Sequence, residues 1–463
     1  MSATAHGLEV TNPYTGKVVG VAPRHRAADV DAAVAAARAR PRLAPEDRAK
    51  VLAAAARAVG ERADELARSI TAEAGVCLKE SAKEVARARG NLEVAAEEAK
   101  RVHGEALQVP GTGGKRMAIT VREPVGVVGA ITPFNRPLNQ VVVKVAPAIA
   151  AGNGVVVKPS EKTPLTAFLL ADLMRDCGLP EGTLAIVTGD PVEVGGALCA
   201  AADMVTFTGG IESGRAVARA AAGKRVTLEL GGNDPLIVLE DADLDLAAKL
   251  AADQGFATAG QSCRGVKRVI AIEGVAEELA ARIAERAAAK RWGDPWDPET
   301  DVGPLIDEAA AERVAARVEA AVADGAVLVC GGKREGALHA PTVLDRVLRS
   351  SELVARETFG PVVPVIRVAD DAEAVVVANG TEYGLQAGVV TTRWDRFIRI
   401  ARSLDVGAVN LMEGPAFDSP HIPFGGVKSS GVGREGIRWA IDEMTSTKTI
   451  TLPQETPWTS SPS

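Results

Sequence analysis

The sequence predicts an α/β protein with two doubly wound domains. Its 463 residues exceed the roughly 100–200 residues of an average domain. Beyond about residue 125, short apolar runs alternate with helical segments. This alternation is typical of parallel sheets that are covered by helices on both faces. The alternation starts again after Asn233, and we therefore expect one domain on each side of that point.

The first hundred residues are expected to be helical, because apolar residues recur there at helical spacing. The expected helices are Ala27–Arg40, Pro45–Thr71 and Lys79–Arg101. In the first α/β unit the expected strands are Val125–Ile131, Gly154–Lys158, Leu184–Val187, Met204–Phe207 and Val226–Leu230. The helices between them are Leu138–Ala151, Thr163–Cys177, Asp190–Ala202 and Gly210–Ala222. This unit is interpreted as a nucleotide-binding domain.

The second unit repeats the pattern. Its expected strands are Leu236–Leu239, Val266–Ile272, Ala326–Val329, Val363–Val368 and Ala387–Thr391, with helices such as Val275–Lys290 and Glu308–Asp324 between them. Two strand-like runs, Lys115–Arg122 and Thr447–Leu452, fit neither unit, and ordinary edge strands are one interpretation of them. The end of the chain, Glu455–Ser463, is expected to be a short polar tail.

Composition and charge argue against several classes of protein. The net charge of −7 argues against a surface for nucleic acid or for an anionic membrane. No run approaches the ~18 apolar residues of a membrane span, and the amino-terminal segment lacks the apolar core of a secretory signal. The five cysteines are scattered, with no CxxC pair. We expect reduced thiols, a cytoplasmic location and no metal site.

Cys263 is a candidate nucleophile. It lies in a loop flanked by Gly260 and Gly265, and loops on a rigid scaffold are where reactive groups are placed. The nearby cations Arg264 and Lys267 would lower the pKa of its thiol. The alternative is that this cysteine is simply a small buried apolar residue.

Glu229 is a candidate general base. It stands between Leu228 and Leu230 at the end of an apolar strand, and burial there would raise the pKa of its carboxyl. The alternative is a glutamate that caps the following loop. The glycine-rich turn Phe207–Gly214 opens a helix, where free N–H groups favour an anion such as a pyrophosphate.

Seven short blocks, in a fixed order, resemble the aldehyde dehydrogenase superfamily. They are Pro133–Pro137, Lys158–Glu161, Phe207–Gly214, Leu228–Asn233, Gly260–Cys263, Glu357–Pro361 and Pro423–Lys428. Glu229 and Cys263 are 34 positions apart, as the pattern of this superfamily requires. The resemblance extends from about Asn12 to Leu452, which is nearly the whole chain.

The resemblance implies a mechanism. Cys263 would attack the aldehyde carbon, and the Asn135 side chain with the backbone N–H of Cys263 would stabilise the oxyanion. Glu229 would then activate the water that hydrolyses the thioester, and Lys144 and Glu435 match a polar pair that the family places near this base.

The resemblance also implies a bound NAD, with NADP as the alternative. Its contacts would be Thr132, Phe134, Lys158, Ser160, Glu161, Gly209, Gly210, Gly214, Leu230, Glu357 and Phe359. The carboxylate of Glu161 can accept hydrogen bonds from ribose hydroxyls and would repel a 2′-phosphate, which favours NAD.

The implied fold is that of the aldehyde dehydrogenases, with two doubly wound α/β domains and a small β arm. Residues 1–105 and 125–231 would form the NAD-binding domain, and residues 232–439 the catalytic domain. Residues 106–124 and 440–457, which include the two leftover strands, would form an oligomerisation arm. A homodimer or a homotetramer is therefore expected.

The substrate pocket is expected to bind a small anionic aldehyde. Its lining residues would be Arg136, Asn139, Arg264 and Phe424. Guanidinium groups match carboxylate, phosphate or phosphonate oxygens in bidentate fashion. The alternative for Arg264 is a salt bridge that points away from the pocket. Asp418, at a position where lactaldehyde-type relatives often have arginine, argues against a plain lactaldehyde pocket.

Phosphonoformaldehyde is the specific substrate that this branch resemblance favours. Lactaldehyde, sulfolactaldehyde and glyceraldehyde 3-phosphate, oxidised without phosphorylation, are the alternatives. Two other classes are a non-catalytic scaffold protein of the same fold and an enzyme that transfers acyl groups to coenzyme A. A scaffold need not keep Asn135, Glu229 and Cys263 together, and a coenzyme A enzyme does not need a hydrolytic glutamate such as Glu229.

Overall fold

The chain begins with a two-stranded hairpin and four helices. A computed structural model describes residues 7–111 and 116–453, so the predicted tail and both ends of the chain lie outside the described residues. The first elements are β1 Leu8–Thr11, β2 Val18–Ala22, α1 Ala27–Ala39, α2 Pro45–Glu61, α3 Ala63–Ala74 and α4 Leu78–Glu98. The single helix predicted over Pro45–Thr71 is two helices, because Arg62, with φ −102° and ψ 24°, leaves the helical conformation between them.

The first large sheet contains six strands, and their order from one edge is β19 (Gly431–Val432), β9 (Arg225–Glu229), β8 (Met204–Thr208), β5 (Val127–Ile131), β6 (Gly154–Lys158) and β7 (Leu184–Ile186). The elements from residue 106 to residue 229 are β3 Ala106–Gln108, β4 Arg116–Pro124, β5 Val127–Ile131, α5 Asn139–Ala150, β6 Gly154–Lys158, α6 Leu165–Asp176, β7 Leu184–Ile186, α7 Pro191–Ala201, β8 Met204–Thr208, α8 Ile211–Ala220 and β9 Arg225–Glu229. Strands β5 to β9 pair in parallel, as the alternation predicts. Every residue of β5, β6 and β8 is buried, since helices cover both faces.

The second large sheet contains seven strands in the order β12-β15-β16-β11-β10-β17-β18. The elements are β10 Pro235–Val238, α9 Leu244–Phe256, β11 Arg268–Ile272, α10 Glu273–Ala288, α11 Glu308–Ala323, β12 Val327–Cys330, β13 Arg334–Glu335, β14 Leu338–His339, β15 Thr342–Asp345, α12 Glu352–Ala355, β16 Val362–Val368, α13 Asp371–Asn379, β17 Gln386–Val390, α14 Trp394–Ser403 and β18 Ala408–Leu411. Its pairs are parallel except for the antiparallel edge pair β12–β15. Strands β13 and β14 form a separate hairpin.

The chain then returns to the first sheet. Its last elements are β19 Gly431–Val432, α15 Ile437–Glu443 and β20 Thr445–Pro453. Strand β19 pairs with β9 antiparallel, although it falls inside the range 232–439 that the sequence assigned to the catalytic domain. The paired residues include Gly431 and Glu229, so this return brings the segment after Pro423 beside the candidate base.

The two leftover strands of the sequence pair with each other. They correspond to β4 and β20, which run antiparallel over nine residue pairs from Thr445–Pro124 to Pro453–Arg116, and β3 adds a third strand. They are therefore not edge strands of the large sheets. Within the described residues, no helix is both long and apolar enough to cross a membrane.

Candidate active site

The candidate nucleophile follows a strained turn. A single 3₁₀ turn, Ala257–Gly260, comes directly after α9, and Thr258 and Ala259 have φ angles of 52° and 53°. Positive φ is unfavourable for residues with a side chain, above all for a β-branched threonine. At Gly260, with φ 71°, an added Cβ would lie 2.0 Å from the carbonyl oxygen of Gly360. Close packing against the segment before β16 therefore holds the backbone shape from which Cys263 projects.

Cys263 lines two cavities that meet at its position. The first, of about 50 Å³, is lined by residues of α5, the Cys263 loop and the segment around Asp418. The second, of about 220 Å³, opens towards the first large sheet. Asn135 and Gln140 line both cavities as well. We call the first cavity the substrate tunnel and the second the nucleotide-side cavity. The meeting point is where two reactants entering from opposite sides would come together.

Asn135 presents its side chain amide at this meeting point. Its Nδ2 donates a hydrogen bond of 2.8 Å to the carbonyl oxygen of Gln261. An amide nitrogen carries two hydrogens, and the second remains for a ligand. The hydrogen bond to Gln261 fixes the orientation of the amide relative to the Cys263 loop, and fixed donors are what a developing oxyanion requires.

Glu229 ends β9 as a buried carboxyl, 2% exposed. Neither of its oxygens has a hydrogen-bond partner. Burial raises the pKa of this carboxyl well above its usual range, the charge of Glu435 raises it further, and Lys144 and Arg434 oppose the shift. A carboxyl with a raised pKa and free oxygens is suited to accept a proton from water or from a thiol.

Lys144 and Glu435 form a buried ion pair beside Glu229. The Lys144 Nζ donates to Glu435 Oε1 at 2.5 Å and to Thr206 Oγ1 at 3.1 Å, and the lysine is fully buried. Glu435 also lines the substrate tunnel. The structure therefore brings together the polar pair and the glutamate that the sequence resemblance placed near each other.

The expectation for the pKa of Cys263 is reversed. Burial raises the pKa of its thiol to about 12, and Glu357, Asp234 and Glu229 add to the rise, although Arg264 lowers it. The sulfur faces the cavities yet is surrounded by protein, and desolvation disfavours a thiolate there. Neighbouring cations in the sequence are therefore outweighed by the burial and the carboxylates that the fold supplies.

This raised pKa predicts how Cys263 reacts with an alkylating agent in the free protein. Because only the thiolate attacks and the pKa is about 12, the alkylation rate should rise about tenfold per pH unit between pH 7 and pH 10 without a plateau. Peptide mass mapping after iodoacetamide treatment at each pH measures the modification of Cys263 separately from that of the other four cysteines. A plateau below pH 9 would contradict the raised pKa.

A groove at the carboxyl ends of the first sheet's strands lies next to the nucleotide-side cavity. It has a volume of about 490 Å³, and its walls include the predicted contacts Thr132, Phe134, Lys158, Ser160, Glu161, Gly209 and Gly210. Ligands of doubly wound sheets bind at this edge. The nucleotide-side cavity shares Phe134, Gly209 and Gly210 with the groove and adds Leu230, Glu357 and Phe359.

The groove has the features that a dinucleotide requires. Gly210 immediately precedes α8 as its N-cap residue, and an added Cβ there would meet nothing within 4 Å, so the free N–H groups of α8 are open to an anion. The buried hydroxyls of Thr132 and Thr208 have no hydrogen-bond partner. The Glu161 carboxylate lies 3.5 Å from the Lys158 Nζ. The residues present therefore fit NAD, or NADP if Lys158 offsets Glu161.

Gly214 does not line the groove, contrary to its predicted role. It lies inside α8, where an added Cβ would come within 2.4 Å of Leu230 Cδ2. Its small size allows the helix to pack closely against Leu230. The glycine spacing that predicted a contact with a phosphate is explained, at this position, by helix packing.

The predicted substrate residues Arg136, Asn139, Arg264 and Phe424 all line the tunnel. Arg136 donates to Thr258 Oγ1 at 3.1 Å, which ties it to the strained turn. Arg264 lies 2.7 Å from an oxygen of Asp418 and 5.6 Å from the centre of the Phe424 ring. Arg264 therefore forms an ion pair, as the alternative interpretation held, but it lines the tunnel and does not point away from it.

Sequence reasoning missed Arg87 and Gln140, and it gave Lys267 no role other than that of a cation near Cys263. Burial, reinforced by the charges of Arg264 and Arg136, lowers the pKa of the Arg87 guanidinium to about 10, so a third arginine stands by the other two. Gln140 has a buried, unpartnered Oε1 where the two cavities meet. The Nζ of Lys267 lies 5.4 Å from the centre of the Phe359 ring. Helical periodicity at Arg87 and Gln140 gave no signal that separated them from ordinary helix residues.

The structure is matched by known proteins over its whole length. Residues 1–450 match the model of the aldehyde dehydrogenase family. The chain belongs to this family. Among curated aldehyde dehydrogenases, the 3-sulfolactaldehyde dehydrogenase of Priestia aryabhattai is 41% identical, with 97% of this chain and 95% of that protein covered. The lactaldehyde dehydrogenase of Methanococcus maripaludis is 39% identical, with 89% and 88% covered.

Solved aldehyde dehydrogenase structures share the fold. The glyceraldehyde-3-phosphate dehydrogenase of Methanocaldococcus jannaschii, crystallised with NADP, superposes with a TM-score of 0.93 at 36% identity, covering 98% of this chain and all of that one. The predicted fold class and the predicted family are therefore confirmed. This aldehyde dehydrogenase is an oxidoreductase, and among its described residues no group of three or more His, Cys, Asp or Glu side chains is arranged to hold a metal ion.

Proposed function

We propose that this aldehyde dehydrogenase oxidises a small anionic aldehyde to the carboxylic acid, with NAD(P) as oxidant and without coenzyme A. The observation that carries the proposal is the position of Cys263 where two cavities meet, one lined by arginines and one continuous with the nucleotide groove. The net reaction converts the aldehyde, NAD(P)⁺ and water to the acid, NAD(P)H and a proton.

The first half of the reaction would use Cys263 and Asn135. The thiol gives its proton to a nearby carboxylate, for which Glu229 is suited because its own pKa is raised. The sulfur then attacks the carbonyl carbon, a C–S bond forms, and the carbonyl oxygen becomes an oxyanion. Asn135 Nδ2, held by the carbonyl of Gln261, donates to that oxygen. A dinucleotide held by the residues of the groove and of the nucleotide-side cavity would supply the hydride acceptor, and Cys263 would be left as a thioester.

The second half would use Glu229 as the base for hydrolysis. Its free oxygens can hold a water, and its raised pKa lets it take the proton as the water attacks the thioester carbon. The thiol proton that Glu229 accepted in the first half leaves before this step, towards the carboxylate of Glu435, which adjoins Glu229 and lines the tunnel. Glu229 then returns the proton of the water to the departing thiolate. The C–S bond breaks, the acid leaves, and the thiol is regenerated.

The cofactor side supports NAD, with NADP as the alternative. Ser160 and Glu161 line the groove near the end of β6, and a carboxylate there suits ribose hydroxyls. The structural relative from Methanocaldococcus jannaschii was crystallised with NADP, and Lys158 supplies a cation at this place. Kinetics with both dinucleotides measure the preference directly.

The β3–β4–β20 sheet is proposed as an oligomerisation arm, which light scattering would test.

The anionic substrate rests on the arginines of the tunnel. Arg136 and Arg264 line it, Arg87 stands by them, and curated relatives are named for lactaldehyde and for the anionic 3-sulfolactaldehyde. The structure adds no observation in favour of phosphonoformaldehyde, the first choice from sequence. The proposal is therefore a carboxylate, sulfonate or phosphonate group one or two atoms from the aldehyde carbon.

Substitution of the arginines tests this proposal. Arg136→Ala, Arg264→Ala and Arg87→Ala should each lower kcat/KM for an anionic aldehyde such as sulfoacetaldehyde by roughly 30- to 3000-fold, since removing one partner of a desolvated charge pair costs about 2–5 kcal/mol. The loss on propionaldehyde, which is neutral, should be small. NADH absorbance, measured with and without coenzyme A, gives the rates.

Arg89→Ala is the matched control. Arg89 lies two residues from Arg87 on α4, but its side chain is exposed and pairs with Glu93. This variant should change neither rate. Parallel losses on the charged and the neutral aldehyde would show that the arginines are structural. A requirement for coenzyme A, or no oxidation of any aldehyde, would instead support the acyl-transferring or scaffold classes.

A further inference from the structure

Five charged side chains lie close together at the substrate tunnel, and three of them, Arg136, Arg264 and Asp418, line it. The guanidinium groups of Arg87, Arg136 and Arg264, here called the arginine cluster, face the carboxylates of Glu84 and Asp418. Other charges at the tunnel are balanced elsewhere, since Glu435 is paired with the buried Lys144. The charge available to a substrate therefore depends on how these five groups compensate one another.

The Glu84 carboxylate is hydrogen-bonded to the protein backbone. Its Oε1 accepts the backbone N–H groups of Leu138 and Asn139 at 2.9 and 3.0 Å, at the start of α5. Burial raises the pKa of this carboxyl, and the charge of Arg136 together with those two donors opposes the rise and stabilises the carboxylate. Glu84 therefore offsets one positive charge of the arginine cluster whether or not a substrate is present.

Asp418 offsets a second positive charge, and unlike Glu84 it does so by lying next to a guanidinium group. Its Oδ2 lies 2.7 Å from Arg264 Nη1, with side-chain exposures of 23% and 11%. The two atoms are close but are not aligned for a hydrogen bond, so the buried Nη1 of Arg264 is left without an acceptor. Charge compensation is thus complete at Arg264, while its N–H remains free to donate to a ligand.

We propose that Asp418 limits the substrate to a single negative charge, so that the tunnel accepts a carboxylate or a sulfonate and disfavours a doubly charged phosphonate or phosphate. Three guanidinium groups and two carboxylates leave one net positive charge at the tunnel. A sulfonate or carboxylate neutralises this net charge and accepts a hydrogen bond from the free N–H of Arg264. A second negative charge would have no cation of its own and would stand near the Asp418 carboxylate, where the surrounding protein screens repulsion poorly.

This inference rests on the proposed function and refines it. Sulfoacetaldehyde and phosphonoacetaldehyde are the appropriate probes, because they share one carbon skeleton and differ in the charge of the head group. At pH 8 the sulfonate carries one charge, and the phosphonate carries close to two, since the second pKa of a phosphoryl group is about 6. The wild-type enzyme should have a kcat/KM at least about tenfold higher for the sulfonate.

Asp418→Asn tests the role of the carboxylate. The amide keeps the size of the side chain but removes its charge, so the sulfonate-to-phosphonate ratio should fall about tenfold, mainly through better use of the phosphonate. Asp418→Glu keeps the charge and should keep a ratio close to that of the wild type. A ratio that Asp418→Asn leaves unchanged, or a wild-type preference for the phosphonate, would overturn the inference.

A pH dependence measured on the wild-type enzyme tests the inference even if an Asp418 variant does not fold. The sulfonate-to-phosphonate ratio should rise from pH 5.5 to pH 8.5, as the phosphonate gains its second charge while the sulfonate does not. Dividing the two rates cancels the ionisation of the enzyme's own groups. A ratio that stays flat would overturn the inference. The proposed function fails separately, if neither anion is oxidised better than propionaldehyde.

Discussion

Replacing Cys263 with alanine should lower aldehyde oxidation by at least about 10⁴-fold and leave dinucleotide binding unchanged. Loss of a nucleophile typically removes nearly all of the covalent route, and no other cysteine lines the place where the two cavities meet. The groove that would hold the dinucleotide is built from other segments. NADH formation and the quenching of protein fluorescence by NADH measure the two properties in the same preparation.

Cys330→Ala is the control for this experiment. Cys330 lies on the edge strand β12, is partly exposed like Cys263, and is absent from the walls of both cavities. Its replacement should leave kcat and KM as they are. Turnover by Cys263→Ala above about one hundredth of the wild-type rate would remove Cys263 from the mechanism and with it the thioester.

Local patterns predicted strands β5 to β9 of the first sheet well because each carries its own signal, but they did not predict β15 and β18 of the second sheet. Gly154–Lys158 forms a strand with the predicted bounds, and the neighbouring strands differ by one or two residues. Fully buried strands read as continuous apolar runs, which the sequence shows directly. The split of Pro45–Thr71 into α2 and α3 carried no such signal. Alanine-rich sequence continues through Arg62, and the break arises from packing.

The charges of the site could not be predicted from neighbours in the sequence. Arg264 and Lys267 stand close to Cys263 along the chain, which indicated a lowered thiol pKa. The fold instead surrounds the sulfur with protein and brings Glu357 and Asp234 to it from distant segments. Desolvation of a thiolate outweighs the one cation that opposes it.

The charged residues near the substrate tunnel could not be predicted from the sequence either. Arg87 and Arg89 differ by two positions on α4 and look alike in the sequence, yet Arg87 lies beside the arginines of the tunnel and Arg89 pairs with Glu93 at the surface. Two residues along a helix correspond to opposite faces, so only the packing of α4 against α5 distinguishes them. Likewise, the sequence did not show that Asp418 pairs with Arg264, and only the distance between them in the structure does so.

Replacing Glu229 with glutamine should separate the two halves of the reaction. Attack by the Cys263 sulfur depends on Asn135 and the thiol, whereas hydrolysis needs a base for water. Glutamine keeps the size of the side chain but cannot accept the proton. Because the thiol must then lose its proton to solvent, we expect a burst of about one NADH per site that is slower than in the wild type, followed by turnover slowed by about 10²–10⁴-fold, the usual worth of a general base. Rapid mixing measures the burst, and intact mass should show an acyl group on the protein.

Glu73→Gln is the matched control for a buried glutamate. Glu73 is fully buried and burial raises its pKa to about 7, but it accepts the N–H groups of Leu165 and Thr166 far from the cavities. Its replacement should preserve steady turnover without any acyl-enzyme. If Glu229→Gln kept near-normal turnover, another base would hydrolyse the thioester. If the burst were also lost while turnover stopped, the same carboxylate would be taking the thiol proton, a role that its position near Cys263 and the thiol pKa of about 12 already support.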